Sequence, residues 1–337
     1  MRILIIGPSW VGDSVMAQTL YKCLKKEEPN CTIDVISPSW TLPIIQRMPE
    51  ISESISSPFL HGDIKILSRY KFGKSFQKAG YERSITLANS LKSSLIPFFA
   101  KIPIRTGWLG EMRYGLLNDI RKLERKRDYL MIEKFALLSS KETEISLENL
   151  NYPSLEINFD NQEEKLDLFQ IDTNLPCLAI CPGAEFGPSK KWPAEYYSEV
   201  AEVYIRNGWN VLCLGSLNDK ETGNKIESFQ GLDEENRFYN LIGETSLVDA
   251  VDLLAYCKRV VTNDSGLMHI AAAVGTPLVA LYGPSSPEFT PPLTKRKKIL
   301  RKIDGYEKIR KGDSEDGYHH SLLSIKPSEV IEALESL

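Results

Sequence analysis

Residues 260–292, VVTNDSGLMHIAAAVGTPLVALYGPSSPEFTPP, constrain the fold of this chain more than any other stretch. An apolar start, Val260 and Val261, turns polar across residues 262–266. A helix-forming run of small and apolar residues follows over 267–274, and Gly275, Thr276 and Pro277 break it. A second apolar run, 278–281, then ends in Tyr282, Gly283 and Pro284. Strand, loop, helix and strand in that order form the repeating unit of a parallel α/β sheet. In such a unit the polar loop at the C-terminal end of the strand faces the ligand crevice. Here it delivers Asn263, Asp264, Ser265 and Gly266 to a helix N-terminus, whose free N–H groups and positive dipole end suit a phosphate. A carboxylate among them is better matched to hydroxyls, so the loop points to a phosphorylated, hydroxyl-rich ligand such as a nucleotide sugar. A plain N-cap at Asp264 or Ser265 explains the same residues equally well.

At 337 residues the chain suits two domains. Its 42% apolar and 26% charged content is that of a soluble globular protein. No apolar run approaches the ~18–20 residues needed to cross a bilayer. The opening run, residues 3–6, is too short for a signal-peptide core and reads as a first strand, so a cytoplasmic protein is expected. Six cysteines, mostly in apolar runs and without a CxxC pair, suit reduced, buried thiols rather than zinc or disulfides. The net charge of −4 is unevenly spread. Residues 61–127 hold fifteen Lys/Arg against five Asp/Glu, a local +10. That implies an anionic partner for the N-terminal half, although solvated helix faces account for part of the charge. No nucleic-acid module is recognisable and the aromatics are not interleaved as stacking platforms, so nucleic acid is not expected.

The N-terminus reads as strand 3–6, helix 14–26 and strand 32–36. The turn between, GPSWVGDS, imitates a P-loop but places Asp13 where the lysine belongs. An anion there removes the charge that would hold β- and γ-phosphates, which excludes an NTPase. The GxGxxG spacing of a dinucleotide fold is also missing, which argues against an NAD-dependent oxidoreductase. Asp13 is therefore a helix cap or a base; local sequence favours the cap, while an ionised Asp in a crevice can take a proton from an attacking hydroxyl. Further on, strand 84–87 leads to Asn89, Ser90 and a helix from Leu91. The apolar run 95–99 suits core burial better than a membrane surface. Arg105, Trp108 and Arg113, in a stretch expected to be loop, join Lys92 as candidates for an acceptor surface.

Residues 141–176 lack sustained periodicity and are expected to hold the interdomain linker near their end, giving domains 1–170 and 171–337. A second series follows: strand 177–181, helix 193–206, strand 210–214 and a helix from about Asp219. Two doubly wound α/β domains with a crevice between them are thus expected. In PGAEFGPSKKWP, residues 182–193, Lys190 or Lys191 can neutralise a diphosphate. Asp219 and Glu221 can hold ribose hydroxyls, though an ordinary helix start explains them nearly as well. No DxD motif occurs, and His61, His269, His319 and His320 suggest no metal cluster with nearby carboxylates.

Five segments together resemble a known family: GPSWVGDSVMAQTLY (7–21), NSLKSSLIPFFAKIPIRTGWLGEMRYGLLND (89–119), CPGAEFGPSKKWP (181–193), TNDSGLMHIAAAVGTPLVALYGPSSPEFTPP (262–292) and GYEKIRKGDSEDGYHHSL (305–322). The family is the ADP-heptose:lipopolysaccharide heptosyltransferases, glycosyltransferase family 9. The Trp-Val-Gly-Asp start and the Arg-Thr-Gly-Trp segment look most like its type II branch. The resemblance implies a GT-B fold, two Rossmann-like doubly wound domains facing across a crevice, with the acceptor on the first and ADP-heptose on the second. It implies an inverting, metal-independent transferase without a cofactor, acting at the cytoplasmic face of the inner membrane of a Gram-negative cell. The donor would be ADP-L-glycero-D-manno-heptose and the acceptor heptosyl-Kdo2-lipid A. By the same resemblance Asp13 is the general base and Lys190 the donor-phosphate lysine. Asp264, Ser265 and Gly266 bind the donor, with His269 one turn later; Asp219 or Glu221 is the ribose acid. A type I or III enzyme with another core acceptor, or a non-catalytic binder of anionic glycolipid, stays open.

Overall fold

The computed structural model describes residues 1–60, 62–124, 127–140, 146, 148, 150–229 and 237–337. His61, Arg125 and Lys126, and part of the 141–176 stretch, lie outside the described residues. The chain forms two compact units, Met1–Pro153 and Ser154–Leu337. The division falls ahead of the 170/171 boundary expected from sequence.

In the first unit the chain runs β1 (Arg2–Ile6), α1 (Val11–Glu27), β2 (Thr32–Pro38), α2 (Leu42–Ile45), β3 (Glu53–Ser57), α3 (Ile66–Ser75), β4 (Arg83–Thr86), α4 (Leu91–Phe99), β5 (Ile104–Trp108), β6 (Asp119–Arg121) and α5 (Met131–Ala136). The strands form one parallel sheet in the order β3-β2-β1-β4-β5-β6. β1 (RILII) is a near-continuous apolar run, and β2 (TIDVISP) is buried from Ile33 to Pro38, because both faces of the sheet are covered. Residues 105–108, expected as loop, lie in edge-side strand β5. Its Ile104 is exposed, so no apolar alternation marks it.

α1 begins at Val11, three residues before the expected Ser14. Trp10 occupies the N-cap in extended conformation and its side chain makes no capping bond. Ser14 closes the first turn, donating to the Trp10 carbonyl from both its backbone N–H and its Oγ, each at 2.9 Å. Asp13 is therefore not the cap. It sits inside the first turn, where the helix dipole favours its ionised form.

In the second unit come α6 (Phe159–Leu168), β7 (Cys177–Cys181), α7 (Ala194–Arg206), β8 (Asn210–Cys213), α8 (Lys220–Phe229), β9 (Phe238–Asn240), α9 (Leu247–Tyr256), β10 (Arg259–Asn263), α10 (Gly266–Ala273), β11 (Leu278–Tyr282), β12 (Lys297–Arg301), α11 (His320–Leu323) and α12 (Pro327–Glu335). Its parallel sheet has the order β12-β11-β10-β7-β8-β9. Counted from the first strand of each unit, both sheets follow the 3-2-1-4-5-6 order of a doubly wound Rossmann-like fold. α6 belongs to this unit because buried Asp252 of α9 anchors it. Asn158 N, Asn161 Nδ2 and Gln162 Nε2 donate to Asp252 oxygens at 2.9, 2.8 and 2.7 Å. Polar anchoring, with Leu166 as its one buried residue, is why the helix lacks an apolar stripe. All six cysteines are free, five of them buried. No described helix is long and apolar enough to cross a membrane.

Candidate active-site loops in each unit

In both sheets the strand order reverses between the first and fourth strands, so the loops after those strands diverge and open a crevice. In the first unit this is a cavity of about 760 Å³, walled by the loops that follow β1 and β4 and by the ends of β2, β3 and β5. Gly7 N donates to Ile36 O at 2.8 Å, Ser37 Oγ to Pro8 O at 2.9 Å and Trp40 Nε1 to Ser9 O at 2.9 Å, which fixes the loop carrying Asp13. The charged residues lining the cavity are Asp13, Arg69, Lys92, Lys122 and Lys134. Arg69 is 4% exposed and donates to the Ile64 and Asp63 carbonyls at 2.8 and 2.9 Å, which leaves one carboxylate among three lysines, a lining that suits an anionic molecule offering a hydroxyl to a base.

Of the four acceptor-surface candidates, Lys92 and Trp108 line this cavity and Arg105 and Arg113 do not. Arg113 is 2% exposed. Its guanidinium donates to Ala88 O at 2.9 Å, Asn89 Oδ1 at 2.6 Å, Ser94 Oγ at 3.3 Å and the Trp108 carbonyl. It thereby fixes Asn89 and Trp108, which do line the cavity. Arg105 spends its donors on the Leu116 and Ile102 carbonyls, at 2.6 and 2.7 Å. Burial lowers the pKa of both guanidinium groups. Arg69, Lys122 and Lys134 were not singled out from sequence. They lie on three separate segments, and only the regional charge excess hinted at the first two.

In the second unit the loops after β7 and β10 are joined at the switch point by fully buried Asn263. Its Oδ1 accepts from Trp192 N at 3.2 Å and from Tyr197 OH at 3.0 Å, and its Nδ2 donates to Pro182 O at 2.7 Å. The β7 loop is thereby held so that the Lys190 ammonium sits on the Asp264 carboxylate. Lys191 pairs with Asp219 Oδ1 at 2.7 Å. Asp219 Oδ2 accepts from Ser216 Oγ at 2.9 Å, so this acid closes a capping box at the turn before α8. Gly183 permits that packing, since a Cβ there would lie 2.4 Å from Asp219 Oδ2. Gly187 takes φ +146°, a conformation that L side chains rarely adopt, and brings the chain against Arg310 O. Glu221 does not join this group; it is exposed on α8 and pairs with Lys225 at 3.2 Å.

Ser265 occupies the N-cap of α10 without a capping bond from its side chain, and Gly266 opens the helix. Asp264 is bound to Lys190 instead of capping. One turn on, His269 is 5% exposed. Burial lowers its pKa to about 4, the Asp264 carboxylate opposing and the Lys190 ammonium reinforcing the shift. It is a neutral imidazole at neutral pH. Contrary to the sequence expectation for the histidines, Asp313, His319 and His320 do gather, each with one potential ligand atom within 4.8 Å of the others. The 305–319 segment folds back so that His320 N donates to Asp313 Oδ1 at 2.9 Å.

A model of glycosyltransferase family 9 (heptosyltransferase) matches residues 69–319. The chain belongs to this family. It is 47% identical over 342 residues to lipopolysaccharide heptosyltransferase 2 of Escherichia coli (strain K12), covering all of this chain and 98% of the relative. To lipooligosaccharide heptosyltransferase 2 of Haemophilus influenzae it is 48% identical over 348 residues, covering 100% and 99%. The solved structure of E. coli ADP-heptose lps heptosyltransferase II superposes with a TM-score of 0.90 at 44% identity, covering 100% of this chain and 98% of that one. Fold and family agree with the resemblance read from sequence.

Proposed function

We propose that this family 9 enzyme transfers L-glycero-D-manno-heptose from ADP-heptose onto the first heptose of the lipopolysaccharide inner core. End-to-end likeness to enzymes named heptosyltransferase 2 is the observation that carries this reading. The acceptor, heptosyl-Kdo2-lipid A, bears carboxylates and phosphates and binds the first unit, where Lys92, Lys122 and Lys134 meet its charge and Trp108 its sugar faces. The donor binds the second unit. Its diphosphate lies on Lys190 and the start of α10 at Ser265 and Gly266, and its heptose hydroxyls on Asp264. Lys190 is presented by its ion pair with Asp264 and turns to the diphosphate as the donor arrives, which frees the carboxylate for hydroxyls. Asp219 orders the loop through Lys191, at the place where a ribose would lie.

The reaction is a single displacement. Asp13 takes the proton from the acceptor hydroxyl as its oxygen forms a bond to the anomeric carbon. The bond from that carbon to the β-phosphate oxygen breaks, and its electron pair leaves with ADP. One base and one step invert the anomeric configuration. Lys190 and the α10 N–H groups take up the charge that develops on the leaving diphosphate, the role a metal has in enzymes with a DxD motif. The enzyme works on the cytoplasmic side, peripheral to the inner membrane that holds its lipid-anchored acceptor. The test is Asp13→Ala in a purified ADP-release assay. Turnover should fall by roughly 10²–10⁴ with unchanged thermal unfolding; near-wild-type turnover in the folded variant rejects Asp13 as base.

A further inference from the structure

Eleven of the nineteen large apolar side chains exposed among the described residues fall between Leu60 and Tyr114, within the region that also carries the positive charge excess. Those on α3, α4 and the 109–118 loop lie on elements packed side by side. α3 packs closely along α4: a Cβ on Gly73 would lie 2.7 Å from Ile96 O, and Tyr70 meets Phe99 edge-on at 5.3 Å. The 109–118 loop also lies against α4, through Glu111 Oε2 accepting from Leu91 N at 2.7 Å, and through Arg105 of β5, which donates to Leu116 O at 2.6 Å while its guanidinium lies 5.7 Å from the Phe98 ring centre. Leu67 of α3 (77% exposed), Phe98 of α4 and Met112 of the loop (83% exposed) therefore belong to one surface. Leu67, Tyr70, Lys71 and Lys74 follow the i, i+3, i+4, i+7 spacing of a single helix face. Arg69 and Gly73 are buried behind it.

Apolar tips among exposed lysines have the composition of a surface that lies in the headgroup layer, the tips entering the acyl boundary and the ammonium groups meeting lipid phosphates. Protein-binding cores are, by contrast, depleted in lysine. Leu60 and Lys92, at the edge of this face, also line the Asp13 cavity. An anionic sugar in the cavity would thus stand beside the surface that reaches the bilayer. We infer that the α3–α4 face and the 109–118 loop seat the first unit on an anionic phospholipid bilayer. The inference rests on the reading of a lipid-anchored acceptor and names the surface through which the enzyme reaches it.

The experiment is co-sedimentation of the full chain with vesicles of phosphatidylglycerol and phosphatidylethanolamine, against vesicles of phosphatidylcholine alone. Wild type should prefer the anionic vesicles and lose that preference in high salt. Two double variants, Leu67→Asp with Met112→Asp and Lys71→Glu with Lys74→Glu, should each weaken vesicle binding roughly tenfold or more. Both should keep wild-type transfer to an acyl-free, soluble acceptor, which also shows that they fold. Equal binding of wild type to both vesicle types, or variants that bind like wild type, overturns the inference. A change of sedimentation size in the variants with vesicle binding intact overturns it as well and makes the face a contact between copies. Wild type that binds anionic vesicles but transfers nothing to the soluble acceptor counts against the proposed reaction, not against the membrane surface.

Discussion

In the first unit the loop after the leading strand sets one carboxylate, Asp13, among cations contributed by distant segments around a cavity. In the second, the corresponding loops hold their ions in pairs, Lys190 on Asp264 and Lys191 on Asp219, stapled together by Asn263. Both are built at the switch point of the same strand order. The difference teaches what each crevice is prepared for. On the proposed reading a donor always carries the same diphosphate and sugar, so its loops can be pre-organised by ion pairs that the donor then exchanges. On the same reading an acceptor is larger and bears scattered anions, which a wide basic surface with one reactive group suits.

If that contrast is right, breaking the pre-paired side should cost transfer heavily, as losing Asp13 should in the first unit. Lys190→Ala should lower transfer by roughly 10²–10³, as for other groups that stabilise developing charge. A rise in KM for ADP-heptose at unchanged kcat would show that Lys190 only binds the donor. Asn263→Ala should be next, because it leaves the Trp192 N–H, the Tyr197 hydroxyl and the Pro182 carbonyl buried without this partner. A loss of about 3 kcal/mol or more in denaturant unfolding is expected; a loss below about 1 kcal/mol would mean that the staple is dispensable.

His269 sharpens the comparison through pH. Its folded-state pKa of about 4 lies below the ordinary histidine value of about 6.5. The unfolded chain therefore binds the extra proton between those values, and stability falls as the pH drops from about 6.5 to about 4. The contribution lost is of the order of 3 kcal/mol. His269→Gln should flatten the stability–pH slope in that window, while an unchanged slope would place the imidazole in contact with water.

Much of this was legible in the sequence, for a physical reason. β1, β7, β10 and β11 are buried on both faces and read as apolar runs, and polar residues just after such runs are the ones a parallel sheet presents to ligand. That ground made Asp13, the Lys190–Lys191 pair and Asp264 candidates, and the family resemblance chose among their readings. The outer strands did not stand out. β3 (ESISS), β6 (DIR) and β9 (FYN) are only partly covered and carry no apolar pattern. α6 was hidden because Asp252 anchors it through hydrogen bonds. Arg113 looked like an acceptor contact because charge and position do not reveal that a guanidinium is buried under the loop it supports. Arg69 and Lys134 lie far from each other in sequence and meet only through the tertiary fold.

The measurement that bears most directly on the central claim is transfer by the purified protein from ADP-heptose to three defined acceptors, ending in Kdo, in the first heptose and in the second heptose, with product mass and anomeric configuration determined. The account predicts one added heptose on the first-heptose acceptor alone, with configuration inverted and ADP released in equal amount. Transfer to the Kdo-terminated or second-heptose acceptor instead, retention of configuration, or no transfer to any of the three would contradict it.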